Sequence, residues 1–382
     1  MIYLDYAATT PIDEEILAKY INVESKFFAN PAAMHMLGQK ANYMYEEYMR
    51  SSLKALNCPN HEIIYTSGAT EANNIGIFGV ANKYSAGTII SSKIEHPSVS
   101  EVMKSLESRF NVIYLDINED GIIDTKELES LMNKDVILVS IMWVNNIIGS
   151  IQNIKEVIRI VKKYPKAKLL VDMTQGIGKV KPDFDFSDVD MFTFSTHKIY
   201  GPKGVGCLVK KKNLEIVKFM QGSGVQRNLR PGTFDIALIA CTDLAIKKAL
   251  SNLDDHYEYI KDLYLYLDQK LREISNIYIN SPLKYSSFSC MNISVFNNGK
   301  FVPSETILHY LEKDEIYVSI GSSCSNKLVK SEPTLLALTH DEARSKSGIR
   351  ISISHLTTKD ELDKLITLIR KYGETYVWYD SN

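Results

Sequence analysis

Lys198 stands in MFTFSTHKIYGPKG (Met191–Gly204), where a short apolar run ends and a Gly-Pro turn follows. An isolated lysine at such a place reads as an exposed loop amine. Ser195 and His197 beside it, with Asp172 and Thr70 upstream, reverse that reading. A lysine that is held and desolvated has a lowered pKa, and such lysines form Schiff bases. Asp172 closes the apolar run of KLLVDMTQGIGKV, with Gln175 three residues on. A carboxylate there is either a helix cap or a charge partner for a ligand, and a bound pyridoxal phosphate needs an acidic partner for its pyridinium nitrogen. In TSGATEANN (Thr66–Asn74), Gly68 allows a tight turn and Thr70 precedes a helical pattern. The stretch reads either as an ordinary N-cap or as a phosphate cradle of free N–H groups at a helix start. It is not a P-loop, because the Gly-Lys-Ser/Thr ending is missing. His96, in KIEHPSVS, is either structural or close enough to stack on an aromatic cofactor or move a proton. Cys324, in IGSSCSNK, has small polar neighbours, unlike most buried structural cysteines. Lys327 and Lys330 nearby either favour a thiolate or simply solubilise a loop.

These residues need elements to carry them. From about residue 60 to 210, short apolar runs (EIIYTS, GTIISS, NVIYLD, VILVSIM, KLLVD, MFTFS) alternate with stretches of helical spacing. The alternation predicts an α/β fold with a mostly parallel central sheet and helices on both faces. Ligands of such sheets gather at the carboxyl ends of the strands, where the special residues fall. Beyond Val205–Lys210 the pattern changes to helical segments over about 235–275, then to short strands in YIN, MNISVF, IYVS and IRISIS. We expect a large cofactor-binding domain over 14–253 and a smaller α+β domain from 1–13 and 254–382. The latter ends in a helix opened by the capping box Thr358-Lys-Asp-Glu361.

Composition narrows the function. The chain has 382 residues, 45% hydrophobic and 24% charged, with a net charge of −2. That is a globular balance with no argument for direct nucleic-acid binding or a membrane surface. The basic run Lys210–Lys212 reads as a solvated strand end. No secretory leader is expected after Met1, and no run of about 18 apolar residues occurs. Five scattered cysteines without a CxxC pair, and histidines without ligand spacing, give no metal site and suggest a reducing cytoplasm.

Taken together, these motifs resemble the cysteine desulfurases of the NifS/IscS type, in the class V aminotransferase group of pyridoxal-phosphate enzymes. The resemblance runs from YLDYAATTP at Tyr3 through NPAAMHMLG, TSGATEANN, EHPSV, VNNIIG, DMTQGIGK, FSTHKIYGPKG, RPGT and GSSCS to IRISISHLTTKDELD at Ile349. It implies the PLP-dependent transferase (aspartate aminotransferase-like) fold. It also implies that Lys198 binds pyridoxal phosphate covalently, Asp172 pairs with the pyridine nitrogen, Gln175 meets the ring hydroxyl oxygen and His96 stacks on the ring. Ala69, Thr70, Ser195 and His197 would hold the phosphate. Thr233 would reach the phosphate of a neighbouring subunit, implying a homodimer. Asn146 and Arg350 would lie around the substrate carboxylate, which suits an arginine fork. Cys324 would be the nucleophile that takes sulfur from L-cysteine as a persulfide, leaving L-alanine. The sulfur would pass to an Fe–S scaffold or a tRNA-thiolation enzyme.

Several positions depart from the family pattern: Ile147 for a glutamate, Val225-Gln226 for Gln-Glu, Pro231 for a serine, Phe234-Asp235 for Glu-Asn and Ser354-His355 for Gly-Arg. Alternative readings are another class V enzyme, such as a selenocysteine lyase or an aminotransferase, or a non-catalytic scaffold for sulfur-transfer proteins.

Overall fold

A strand built only of apolar and small residues must be covered on both faces, and Val136–Met142 is buried along its whole length. In the computed structural model, which describes residues 1–321 and 331–375, this run is the fifth of fourteen described strands. The strands are β1 (Ile2–Tyr3), β2 (His61–Thr66), β3 (Thr88–Ser92), β4 (Asn111–Leu115), β5 (Val136–Met142), β6 (Lys168–Asp172) and β7 (Met191–Ser195). They continue with β8 (Gly206–Lys211), β9 (Ile277–Ile279), β10 (Cys290–Asn297), β11 (Lys300–Phe301), β12 (Ile316–Tyr317), β13 (Ser319–Ile320) and β14 (Ile349–Ser352).

Seven of them form one sheet in the order β2-β8-β7-β6-β5-β3-β4. The pairs β4–β3, β3–β5, β5–β6 and β6–β7 are parallel, whereas β8 runs antiparallel to both β7 and β2. The link between β7 and β8, residues 196–205, explains that exception. A parallel return needs a crossover of about a dozen residues or more. Gly206 opens β8 beside the helix start that follows β2. A Cβ there would lie 2.5 Å from the Gly68 carbonyl carbon, so only glycine permits this approach.

Side chains alternate across the sheet. Ile64, Ile89, Leu170, Met191 and Leu208 pack under helices Ala69–Ala81 and Pro97–Leu106. Ile63, Tyr65, Val171, Phe192 and Phe194 pack under helices Glu14–Lys26, Met36–Ala55, Ile154–Val161 and Ile236–Ser251 on the other face. A second core gathers Ile2 and Leu4 with Ile260, Tyr264, Met291, Ile293, Ile349, Ile351, Leu362 and Tyr372. Here β1 pairs in parallel with β12, and β10 joins β9, β11 and β14. The last helix, Lys359–Thr375, opens with the expected capping box: Thr358 N–H donates to Glu361 Oε2 at 2.8 Å and Glu361 N–H to Thr358 Oγ1 at 3.4 Å.

Two expectations need correction. IYVS is not one strand. It divides at Val318 into β12 and β13, which pair with different partners, β1 and β14. Nor is Lys210 solvated. It lies opposite Glu62 across the β2–β8 pair, is 3% exposed, and its Nζ sits 2.6 Å from Glu62 Oε1 and 2.8 Å from Leu214 O. Burial of β8 on both faces forces that lysine inward, and the carboxylate answers its charge. Lys212, at the end of the run, is exposed.

No helix among the described residues is long and apolar enough to cross a membrane.

Candidate active site

The parallel strands end on one edge of the large sheet, and their trailing residues share a cavity of about 310 Å³. Ala69, Thr70, His96, Asn146, Asp172, Gln175, Ser195, His197, Lys198 and Arg350 all line it. Thr233 does not; it is exposed on its own segment. That segment is tied down by Arg230, whose Nε donates to Glu71 Oε1 at 2.9 Å. Cys324 lies outside the described residues, and Gly321, the last residue described before it, lines the cavity.

Lys198 ends a 3-10 turn directly after β7. Thr196 fixes the turn by donating from Oγ1 to Pro202 O at 2.6 Å. Lys198 Nζ donates to Ala7 O at 2.7 Å and Ala8 O at 2.6 Å, so an N-terminal loop distant in sequence holds the amine. Burial, and then the Arg350 charge, lower its pKa to about 8, against opposition from Asp5 and Asp172. The exposed-amine reading therefore fails.

Asp172, at the end of β6, caps no helix; it closes a turn and stands on the cavity wall. Its Oδ1 accepts the Thr174 N–H at 2.9 Å and its Oδ2 accepts from Asn73 Nδ2 at 3.0 Å. Asn73 is fully buried; its Nδ2 also donates to Ser98 Oγ and its Oδ1 accepts from Thr193 Oγ1. The sequence reading missed this brace, although Asn73 stands within TSGATEANN.

Thr70 is not the N-cap of helix Ala69–Ala81. Gly68 is, and it offers no side chain, so Ser195 Oγ from β7 accepts the Ala69 N–H at 2.7 Å. Thr70 lies in the first turn, on the cavity wall. His96 caps helix Pro97–Leu106, its Nδ1 accepting the Ser98 N–H at 3.1 Å. That bond leaves the proton of a neutral ring on Nε2, and burial lowers the pKa against the opposing pull of Asp172. Glu95 beside it joins β3 to β5, accepting from Ser92 Oγ at 2.6 Å and from the Met142 N–H at 3.0 Å. Burial pushes its pKa up to about 8. His197 Nδ1 lies 3.1 Å from Thr9 Oγ1, and burial and then Lys198 push its pKa down to about 4.

On the opposite wall, Arg350 of β14 donates from Nη2 to Asp5 Oδ1 at 2.8 Å and from Nη1 to Asn146 O at 3.1 Å. The departure at Ile147 lies behind that wall: its side chain is buried against Ile148 and Leu335. His355 stacks on His256 with centroids 3.8 Å apart and does not line this cavity.

The residues fit pyridoxal phosphate. A half-buried amine faces the same space as a carboxylate, a neutral imidazole and the start of a helix. Two buried atoms on the wall, Thr174 Oγ1 and Arg350 Nε, have no protein partner, which suits a polar ligand. Among the described residues, no group of three or more His, Cys, Asp or Glu is arranged to hold a metal ion.

A family model described as aminotransferase class-V matches residues 2–365. A relative from Neisseria meningitidis serogroup C (strain 053442), named cysteine desulfurase IscS, is 34% identical over 378 residues, 97% of this chain and 91% of its own. A solved structure described as a NifS-like protein matches with a TM-score of 0.88 at 32% identity, covering 97% of this chain and 98% of its own. Another, described as SspA in complex with cysteine, matches with a TM-score of 0.78 at 28% identity, covering 94% and 100%.

Proposed function

The chain belongs to the aminotransferase class-V family and is a pyridoxal-phosphate-dependent cysteine desulfurase of the NifS/IscS type, and from that premise we propose how its residues divide the work. The supporting observation is that Lys198, Asp172, His96 and Arg350 line one cavity although they come from four separate strands or strand ends.

Pyridoxal phosphate, when bound, supplies an electron sink that loosens the Cα–H and C–S bonds of L-cysteine. Asp172, braced by Asn73, holds a proton on the ring nitrogen. His96 covers the ring, and Gln175 donates to its oxygen. The N-terminus of helix Ala69–Ala81 with Thr70, Ser195 and His197 binds the phosphate. Arg350 and Asn146 orient the substrate carboxylate. Lys198 Nζ would anchor the cofactor and, as a free amine, would take the substrate Cα proton. The Cys324 thiolate attacks the substrate sulfur; a Cys324–sulfur bond forms as the substrate C–S bond breaks. The product is a persulfide on Cys324, and the carbon skeleton leaves as L-alanine after protonation.

We further propose a homodimer, because Thr233 is exposed and away from its own cavity, as a residue serving a partner's phosphate would be. The persulfide sulfur passes to an acceptor protein in Fe–S cluster assembly or tRNA thiolation. Cys58, Cys207, Cys241 and Cys290 are all free and buried, which suits a reducing cytoplasm.

Purified enzyme given L-cysteine is expected to release L-alanine and to carry a 32-Da adduct (roughly one sulfur atom) on Cys324. Cys324→Ala should keep the cofactor's visible absorption and lose both. A Cys324→Ala variant with wild-type desulfuration, or a wild-type protein in which transamination dominates, would contradict the reading. Mixing inactive Lys198→Ala with Thr233→Ala chains should restore one good site per mixed dimer; a monomer by light scattering would remove the dimer.

A further inference from the structure

Lys179 lies outside the cavity just described but within reach of one of its walls. It follows Gln175 by four residues and lines a neighbouring cavity of about 440 Å³, which also touches Lys198. Its Nζ donates to Gln175 Oε1 at 2.7 Å. Gln175 Nε2 in turn donates to Ala7 O at 2.8 Å, the carbonyl that also accepts from Lys198 Nζ. The turn that delivers Lys179 depends on Gly178, at φ +70°, where a Cβ would meet Ala249 Cβ at 2.6 Å.

The chemistry of these contacts fixes the side-chain amide. A protonated amine only donates and a carbonyl only accepts. Rotating the Gln175 amide by half a turn would set its NH₂ against the amine and its oxygen against Ala7 O. Both contacts would become repulsive together. In the observed orientation one Nε2 N–H serves Ala7, and the second remains for the cavity that Gln175 lines. Without Lys179, Oε1 would lose its only donor among the described residues and the amide could turn its oxygen inward, offering an acceptor where an anionic ring oxygen needs a donor.

We propose that Lys179 is a positioning residue for the reaction: it locks the Gln175 amide with an N–H directed at the cofactor's ring oxygen, without itself touching cofactor or substrate. The proposal rests on the pyridoxal-phosphate reading. Burial together with the neighbouring Lys198 charge lowers the Lys179 pKa to about 7; the ammonium can only donate, whereas the neutral amine also carries a lone pair, so the lock is strongest when Lys179 is protonated, and Ala7 O opposes the flipped amide in either state.

The test is a cycle of Lys179→Met and Gln175→Met, alone and together. Apo-proteins are titrated with pyridoxal phosphate by tryptophan fluorescence, and the visible absorption maximum of each loaded protein is recorded. Lys179→Met should weaken cofactor binding about tenfold, the scale of one lost hydrogen bond at a charged group, and displace the absorption maximum. Lys179→Arg, which keeps a donor, should stay within about twofold of wild type. On the Gln175→Met background, Lys179→Met should add less than about twofold, because its route has gone. Lys179→Ala repeats the comparison if the methionine variant does not fold. Wild-type binding and absorption in Lys179→Met, or full additivity with Gln175→Met, would overturn the role. A wild-type protein that takes up no pyridoxal phosphate would overturn the cofactor reading itself, and the proposal with it.

Discussion

Asn73 Nδ2 lies 3.0 Å from Asp172 Oδ2, joining a helix that starts after β2 to a carboxylate at the end of β6. The same amide reaches Ser98 Oγ and Thr193 Oγ1, so four elements meet at one buried asparagine. Asn73→Leu strands the Thr193 hydroxyl and one carboxylate lone pair in a dry setting, while Ser98 Oγ keeps His96 Nδ1. It should cost about 2–4 kcal/mol in urea unfolding, the range for buried groups left unpaired. Asp172→Asn removes the charge proposed to hold a proton on the ring nitrogen. It should lower L-alanine formation by about two orders of magnitude or more, while the described fold persists by circular dichroism.

Lys198 makes apo-enzyme stability depend on pH. Its amine binds a proton up to the usual 10.5 in the unfolded chain but only to about 8 in the folded one. Between these values the unfolded chain holds more protons, so stability rises with pH. Below about pH 8 both states are charged and the full penalty of a buried ammonium applies. Lys198→Met should therefore be more stable than wild type at pH 7, by about 1–3 kcal/mol, with the gap closing as pH approaches 10.5. Urea midpoints at pH 7, 8, 9 and 10 check this; a constant gap would contradict it.

Glu62 and Lys210 form a buried cross-strand pair with Arg227 on the outer side of the carboxylate. Glu62→Leu leaves the ammonium unanswered and should cost about 3–5 kcal/mol. Adding Lys210→Met should return most of that loss, since apolar residues of similar volume replace buried pairs at little cost. Unfolding by urea with an unchanged slope would isolate the effect on stability from any change in compactness.

Arg350 uses two nitrogens on Asp5 and Asn146 and leaves Nε free on the cavity wall. A lysine lacks the planar fork and cannot hold both partners while facing a carboxylate. Arg350→Lys should raise KM for L-cysteine about tenfold or more, with a smaller fall in kcat. Unchanged KM with a large loss of kcat would place the substrate carboxylate elsewhere.

The apolar runs were enough to find β2 through β7, and for all of these but β4 the reason is burial on both faces, which leaves little freedom in composition. Residues at the strand ends, together with the family resemblance, named twelve site residues, ten of which line one cavity. Local patterns also explain the capping box at Thr358, since its two bonds span only three residues.

What local sequence could not decide were the contacts between distant segments. The carbonyls of the Ala7 loop, and Asn73, are ordinary groups until folding sets them beside Lys198 and Asp172, and Glu95 until it meets the Met142 N–H. The burial of Lys210 depends on β8 being covered on both sides, and its partner lies on a strand formed far earlier in the chain. The sequence by itself determined which chemistry is carried and on which strand ends. Only the tertiary structure decided what holds each group in place and at which protonation state, because burial and long-range hydrogen bonds exist only once the sheets and helices have closed around the site.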